Sequence, residues 1–204
     1  MTVIGLTGTS GSGKGAVSNI MAKNGAYIID CDKIAHENME IGGIAYKDIV
    51  TAFGKDVLNN DGSISRQALG SIVFSDSRKL SLLNSITHKY ICEGVMSDME
   101  KHRDRECIVI DAPLLFESGL NQICDYIWLV DARKDIRLKR VMIRDCITEE
   151  QALLRFKNQK DFNTLSEKSD VIIENNGSIE SLEAIVKHQM LSQGLTQNLY
   201  SFVF

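Results

Sequence analysis

The chain has 204 residues, of which 44% are hydrophobic and 25% are charged. This is ordinary globular composition, and the length suits one domain with a sizeable core. The net charge of -4 argues against a general nucleic-acid binder, which is more often basic. The five cysteines form no C-x-x-C pair, which favours reduced thiols over a disulfide framework or metal site. No segment is long enough to span a bilayer, so we expect a cytoplasmic protein with no membrane partner.

Five short apolar runs predict buried β-strands. Helical patterns separate them, which predicts an α/β fold with a parallel sheet covered on both faces. Right-handed crossovers bring strand ends to one sheet edge. We therefore expect the glycine loop after the first strand to converge there with Asp30–Asp32 after the second and Asp111 after the third. The predicted strands are residues 2–7, 26–30, 107–113, 125–132 and 170–175.

The helical segments carry signals for where they begin and end. The first predicted helix puts Val17, Ile20 and Met21 on one face and should end near Asn24-Gly25. The second of two charged helices after the fourth strand starts with Thr148–Gln151, which fits a capping box. The middle section is predicted to be helical and more polar, with turns at its glycines. The last clear helix carries apolar residues at helical spacing, namely Leu182, Ile185, Val186 and Met190.

The segment Gly8–Lys14, GTSGSGK, matches the pattern G-x-x-x-x-G-K in full. Its glycines let successive backbone N–H groups face one concavity, and Lys14 would reach the terminal phosphates of a nucleotide. The usual motif continues with a Ser or Thr that ligates magnesium. Here Gly15 and Ala16 supply no hydroxyl, and Ser18 lies a further half-turn along. We expect phosphate binding rather than a bare glycine turn, with Mg²⁺ held another way, for example through waters on a carboxylate.

Two carboxylates, Asp30 and Asp32, lie where the second strand should open into a helix. Along a strand their side chains would point the same way. A carboxylate there is suited to accept the proton of an attacking hydroxyl or to hold a water on Mg²⁺. The alternative is that Asp32 caps a helix beginning near Lys33. Spacing alone leaves the two interpretations equal.

Three arginines recur at i, i+3 and i+7 on the first charged helix: Arg137, Arg140 and Arg144. Arg155 lies on the next helix. Such helices are able to fold over a nucleotide as a lid and neutralise developing charge. The alternative is an ordinary solvated basic face. The neighbouring phosphate loop favours the lid.

These segments together resemble the dephospho-CoA kinase family over about residues 4–177. The loop alone would indicate only a phosphate-loop protein, whereas PLLFE and DGSISR in this order are far more specific. The segments that carry the resemblance are GLTGTSGSGKG, IDCDKIAH, FGKDVLNNDGSISRQALGSIVF, LNSITH, DAPLLFESGL, RVMIRD and DVIIENNG.

The resemblance implies transfer of the γ-phosphoryl group of ATP to the ribose 3'-hydroxyl of dephospho-CoA, the last step of coenzyme A synthesis, with Mg²⁺ as cofactor. It implies a three-layer P-loop kinase fold with a five-stranded parallel sheet, a helical acceptor-binding region and a lid, in one domain spanning residues 1–204. The core would be residues 1–33, 104–136 and 166–191, the acceptor region about 34–103 and the lid about 137–165. ATP and dephospho-CoA are the expected partners, and the chain is expected to be a monomer or weak homo-oligomer.

By position, the resemblance assigns Asp32 as the base and a water-mediated metal anchor. It assigns Lys14 and Arg140 to catalysis on the ATP phosphates, with Arg144 as a weaker companion. His88 is interpreted equally well as a hydrogen-bonded helix residue or as an acceptor contact. Arg66 is interpreted equally well as part of a salt bridge on a turn or as an acceptor contact. The expected ATP contacts are Gly8, Thr9, Ser10, Gly11, Ser12, Gly13, Lys14, Gly15, Ala16, Arg140 and Arg144. The expected acceptor contacts are Asp32, His36, Arg66, His88, Leu114, Leu115, Phe116 and Glu117.

The chain departs from the family pattern at a few positions. Gly15-Ala16 stands where the family usually has two hydroxyl residues, and Cys31 stands where it has Ala. Lys89 replaces an expected Pro, and Arg137 replaces a common Gln. One alternative is therefore a nucleotide-binding relative that has lost transfer. A second is a kinase for another small hydroxyl acceptor such as a nucleoside monophosphate, which leaves PLLFE unexplained. A GTP-dependent switch is set aside because residues 158–161, NQKD, have the order of N-K-x-D wrong.

Overall fold

A computed structural model describes residues 1–157 and 162–195 of the chain. The chain divides into two compact units: Met1–Ile29 with the described residues from His102 onward, and Asp30–Lys101. Part of the predicted lid, the NQKD segment and most of the tail from Ser192 lie outside the described residues. None of the helices in the described residues is long and apolar enough to cross a membrane.

The first unit contains an all-parallel sheet, as predicted, with strand order β2-β3-β1-β4-β5. The strands are β1 Thr2–Gly8, β2 Tyr27–Asp30, β3 Cys107–Asp111, β4 Tyr126–Asp131 and β5 Val171–Glu174. The central strand β1 pairs with β3 from Thr2 opposite Cys107 and with β4 from Ile4 opposite Tyr126. A central strand is buried on both faces, which explains its nearly continuous apolar sequence.

Helices alternate with the strands in the first unit and make up most of the second. Those of the described residues are α1 Lys14–Lys23, α2 Cys31–Met39, α3 Tyr46–Phe53, α4 Arg66–Phe74, α5 Ser77–Lys101, α6 Lys134–Asp145, α7 Glu149–Lys157, α8 Phe162–Ser166 and α9 Ile179–Ser192. Short 3-10 helices span Lys55–Val57 and Leu120–Ile123. The α/β fold class and the helical middle section are thus confirmed.

Helices α1 and α9 cover one face of the sheet. They contribute Val17, Ile20 and Met21 from α1, and Leu182, Val186 and Met190 from α9, to a core that also contains Trp128. The predicted buried face of α9 was too wide, because Ile185 is 39% exposed. The packing of these two helices on the sheet fixes the positions of the strand ends and of the loops that follow them.

The predicted signals at two helix ends are confirmed. Helix α1 ends at Lys23, and Gly25 follows with a φ of 97° that favours glycine. At the start of α7 the Gln151 side chain accepts from Thr148 N (3.0 Å), and Gln151 N donates to Thr148 Oγ1 (3.3 Å). This reciprocal pair is the capping box that the sequence predicted.

The second unit has a core of its own. It is formed by Ala45, Ile49, Val57, Leu69 and Val73. Helices α2 and α5 pack closely, since a Cβ at position 94 in place of glycine would lie 2.8 Å from Ile34 Cγ2. The predicted turns are present, with positive φ at Gly42, Gly54 and Gly62.

Candidate functional site

The loop between β1 and α1 has the backbone that a phosphate-binding loop requires. Gly11 and Gly13 have φ values of 80° and 94°, and α1 begins directly afterwards at Lys14. A Cβ at position 11 would lie 2.5 Å from the Arg137 carbonyl oxygen, and one at position 13 would overlap the Asn175 side-chain nitrogen. These positions therefore need glycine for both conformation and space. The loop presents helix-terminal N–H groups of the kind that bind phosphate.

Lys14 forms an ion pair with Asp111, the last residue of β3. Both side chains are largely withdrawn from solvent, at 17% and 9% exposure. Because β1 and β3 are parallel neighbours, their carboxyl ends meet at one edge. The predicted convergence of the glycine loop and Asp111 is confirmed. Asp111 carried no assigned role in the sequence-based prediction, although its position at a strand end was the available signal.

Two arginines of α6 bind the carbonyl side of the loop. Arg140 Nη1 donates to the carbonyl oxygens of Gly11 (3.3 Å) and Ser12 (3.2 Å), and Arg137 Nε donates to that of Ser10 (3.1 Å). The C=O and N–H of a trans peptide point in opposite directions. Arginines that hold these carbonyls therefore leave the N–H groups directed away from them. The interpretation of a merely solvated basic face is wrong for Arg137 and Arg140.

Arg137 also belongs to a small network at the end of β4. Asp131 Oδ1 accepts from Thr9 Oγ1 (2.9 Å) and lies 3.5 Å from Arg137 Nη1. The guanidinium lies over the Phe156 ring, 4.6 Å from its centroid. Burial lowers the pKa of Arg137, and the Asp131 carboxylate partly offsets that effect. Arg137 thus joins the loop, β4 and α7 in the first unit.

Asn175, the first residue after β5, completes the support of the loop. It is buried, and its Nδ2 donates to the Ser12 carbonyl oxygen at 2.8 Å. Arg140 Nη2 in turn donates to the Asn175 backbone oxygen (3.1 Å) and to Oδ1 (3.4 Å). The sequence-based prediction missed Asp131 and Asn175. The rule that strand ends carry site residues, applied to the fourth and fifth strands, would have identified both.

Arg144 contacts a different partner. Its Nε and Nη2 donate to the two carboxylate oxygens of Asp145 (2.7 and 2.9 Å), and Arg155 forms a second ion pair with Asp145. The hydrogen bond from Arg144, followed by the charges of both arginines, lowers the pKa of Asp145 to about 2. Two of the three predicted arginines of α6 therefore bind the loop, whereas the third, Arg144, shares Asp145 with Arg155 of α7. ATP contact by Arg144 stays a prediction.

No other side chain of the loop takes the place of the missing hydroxyl. Ser12 is fully buried, and its Oγ has no hydrogen-bond partner among the described residues. Ser18 is buried on α1. Among the described residues, a Cβ at position 15 would meet nothing within 4 Å, so they leave open space where the usual Ser or Thr would stand. Ranges 1–157 and 162–195 contain no group of three His, Cys, Asp or Glu suited to a metal.

In the second unit the structure corrects the prediction for the first turn of α2. The helix begins at Cys31, so Asp30 and Asp32 do not alternate along a strand. Asp30 is the N-cap and its Oδ1 accepts from Lys33 N at 3.0 Å. The alternative prediction that Asp32 caps the helix is therefore wrong, because Asp30 is the N-cap. Asp32 lies exposed in the first turn, four residues before His36 and on the same helix face.

Two predicted acceptor residues contact each other in this unit. Arg66 Nη2, at the start of α4, lies 2.5 Å from His36 Nδ1, near the end of α2. Arginine has no acceptor, so the guanidinium is the donor in this contact and His36 Nδ1 is the acceptor. Both side chains are exposed. His88 lies partly buried on α5. The roles of these residues toward an acceptor stay predictions.

The PLLFE residues follow β3 in the first unit and differ in exposure. Leu114 is 47% exposed, whereas Leu115 is fully buried. A Cβ at position 5 would lie 2.7 Å from Leu115 Cδ2, so Leu115 packs directly on the glycine of β1. The Phe116 ring lies 5.7 Å from Lys168 Nζ, and Glu117 is exposed. Leu115 therefore packs as a core residue and is not available to an acceptor in this arrangement.

Comparison with known proteins agrees with this geometry. The family model described as CoaE, dephospho-CoA kinase, matches residues 2–181. The chain belongs to the dephospho-CoA kinase family. A dephospho-CoA kinase of Lactobacillus johnsonii is 37% identical over 182 residues, which is 88% of this chain and 92% of the relative. One from Moorella thermoacetica is 40% identical over 190 residues, covering 92% and 90%.

Solved structures show the same architecture for this dephospho-CoA kinase family member. TT1252 from Thermus thermophilus has a TM-score of 0.81 at 28% identity, covering 94% of this chain and 97% of that one. Dephospho-CoA kinase from Campylobacter jejuni has a TM-score of 0.67 at 28% identity, covering 94% and 98%. The resemblance drawn from the sequence motifs is confirmed, as is the P-loop kinase fold.

Proposed function

We propose that this chain transfers the γ-phosphoryl group of ATP to the ribose 3'-hydroxyl of dephospho-CoA, giving coenzyme A and ADP. Family membership supports the substrate pair. The observation that carries the chemistry is the phosphate loop, with Lys14 at its end and two arginines bound to its carbonyl side. Such a loop supplies positioning and positive charge, which phosphoryl transfer chiefly needs.

On the ATP side, backbone N–H groups of the loop over residues 8–16 bind the phosphates, apart from those of Ser12 and Ala16, which donate to the carbonyl oxygens of Thr9 (3.1 Å) and Gly13 (2.9 Å). Lys14 contributes a charge that moves with its flexible stem from Asp111 to the terminal phosphates as the nucleotide binds. Arg140 holds the loop carbonyls in this arrangement, so its proposed role in stabilising the charge on the transferring group requires its side chain to rearrange when ATP binds. Arg144 is proposed to assist from the same helix. This assignment predicts that Arg140 contributes both to the shape of the loop and to the reaction.

On the acceptor side, Asp32 accepts the proton of the 3'-hydroxyl as that oxygen attacks the γ-phosphorus. Its exposed position in the first turn of α2 supports this role. His36 and Arg66 bind the acceptor, since a guanidinium is well suited to the pyrophosphate group. His88, Leu114, Phe116 and Glu117 are further proposed contacts.

Mg²⁺ would be held mainly by the nucleotide phosphates and water, and Asp32 is the carboxylate proposed to anchor one of those waters. When bound, the ion neutralises phosphate charge. The reaction is proposed to occur in the cytoplasm, and all five cysteines are free, as expected there. We propose a monomer or a weak homo-oligomer.

A mass-resolved assay tests this function. The purified protein is incubated with ATP, Mg²⁺ and dephospho-CoA, with AMP as competing acceptor. We expect dephospho-CoA alone to gain one phosphoryl group. Phosphorylation of AMP in its place would assign a different acceptor. ATP binding without any product would mean that the chain is a nucleotide binder and that Gly15 has removed transfer.

A further inference from the structure

We propose that Asn175 is a positioning residue that sets the phosphate loop for ATP, an inference that rests on the proposed function. Its backbone position is fixed, because Asn175 N donates to the Asp131 carbonyl oxygen at 2.8 Å as the strand β5 ends beside β4. The residue is 6% exposed. Burial and this fixed backbone restrict the Asn175 side chain to few rotamers, so its amide is able to position the groups that it binds.

The Asn175 side chain closes a triangle of hydrogen bonds with the loop and α6. Nδ2 donates to the Ser12 carbonyl oxygen (2.8 Å), and Oδ1 accepts from Arg140 Nη2 (3.4 Å). Arg140 Nη1 donates to the same Ser12 oxygen (3.2 Å). Only a side chain that donates and accepts at once fits this position. An ionised Asp lacks the donor, and an apolar residue of equal size lacks both.

The consequence for the nucleotide comes from the peptide that joins Ser12 to Gly13. Two donors fix its carbonyl oxygen, and the peptide is planar and trans. The N–H of Gly13 is therefore fixed on the opposite side. That N–H belongs to the loop that receives phosphate, so Asn175 acts on ATP through Ser12 and Gly13 without touching the nucleotide.

Gly13 provides a separate observation. A Cβ at this position would overlap Asn175 Nδ2. The next nearest atoms are Asn175 Cγ at 3.4 Å and Arg140 Nη1 at 3.7 Å. The space that any other residue would occupy is filled by the Asn175 amide. The loop glycine and the β5 asparagine are thus matched to each other.

The test compares N175D with N176D, the same chemical change one residue apart. Asn176 is exposed, and its Oδ1 accepts from Arg133 N (2.7 Å), a bond that Asp preserves. The Kd for ATP is measured by calorimetry without acceptor, at pH 8. The KM for dephospho-CoA is measured separately.

We expect N175D to weaken ATP binding about ten-fold or more at pH 8, and N176D less than about two-fold, with the acceptor KM little changed. An ATP affinity equal to that of N176D, or equal losses for ATP and acceptor, would each overturn the proposal.

A second variant, N175A, removes the same donor without adding charge and should also weaken ATP binding. It carries the test if N175D does not fold, which unfolding monitored by Trp128 fluorescence would reveal. N175A binding ATP like the wild type would overturn the proposal. Wild-type protein that binds ATP but makes no product would instead contradict the proposed function alone, because positioning is measured in ATP affinity.

Discussion

Replacing Gly13 with alanine tests the match between the loop and Asn175. Gly25 is the matched control, because its φ of 97° nearly equals the 94° of Gly13, whereas a Cβ at position 25 meets none of the described residues within 4 Å. Both variants place an L side chain in a left-handed conformation, which costs about 1–2 kcal/mol. Only G13A must also displace the Asn175 amide from the buried Ser12 carbonyl.

The additional cost follows from that displacement. A buried hydrogen bond whose partner is left unsatisfied costs about 1–3 kcal/mol. G13A should therefore lose about 2–5 kcal/mol in total and G25A about 1–2 kcal/mol. Urea unfolding monitored by Trp128 measures both, because this single tryptophan is fully buried in the core of the unit that contains both glycines.

The double variant G13A/N175A separates the clash from the backbone strain. Removing the amide makes room for the Cβ, so alanine at position 13 should then cost no more than alanine at position 25. Equal free energies of unfolding for G13A and G25A in the native background would refute the reasoning. A full G13A penalty that persists without the Asn175 amide would refute it too.

Three further outcomes are expected. D32N should lower kcat at least about a hundred-fold with little effect on ATP affinity, since general-base catalysis contributes that much. The control D30N keeps the oxygen that caps the helix and should stay near the wild-type rate. Equal rates for the two variants would show that Asp32 is not the base. G15S should fold normally in its open space and lower the Mg²⁺ concentration for half-maximal rate; an unchanged requirement would show that the site functions without this hydroxyl. Burial raises the thiol pKa of Cys107 to about 11, and partial burial together with the Asp125 charge raises that of Cys124 to about 12. At pH 8 both should therefore react with a disulfide reagent far more slowly than the exposed Cys146. Faster labelling of either would contradict these raised pKa values.

The sequence predicted the features that depend on local pattern. Apolar runs located the strands, and G-x-x-x-x-G-K located the phosphate loop, because each signal lies within a few neighbouring residues. The capping box from Thr148 to Gln151 was predicted for the same reason. These features require no knowledge of which distant segments meet.

The features that the sequence missed depend on contacts between distant segments. Asn175 bonds to Ser12 across 163 positions, and no local pattern marks that pairing. Likewise Arg140 and Arg144 share a helical face by spacing, but only Arg140 reaches the loop, because Arg144 is bound by the adjacent Asp145. In PLLFE, the letters do not separate Leu115, which packs on Gly5, from the exposed Leu114.

The missing hydroxyl after Lys14 can be judged from these same contacts. A Ser or Thr there would contribute one neutral ligand to an ion that already draws on phosphate and water oxygens. The remaining determinants of phosphate binding are charges and fixed peptide dipoles, and they are supported from three directions, by Asp111, by the arginines of α6 and by Asn175. The structural support is therefore concentrated on the loop geometry that ATP binding requires. Membership of the dephospho-CoA kinase family over residues 2–181 is what makes an active kinase the better explanation of GKGA than a simple nucleotide binder.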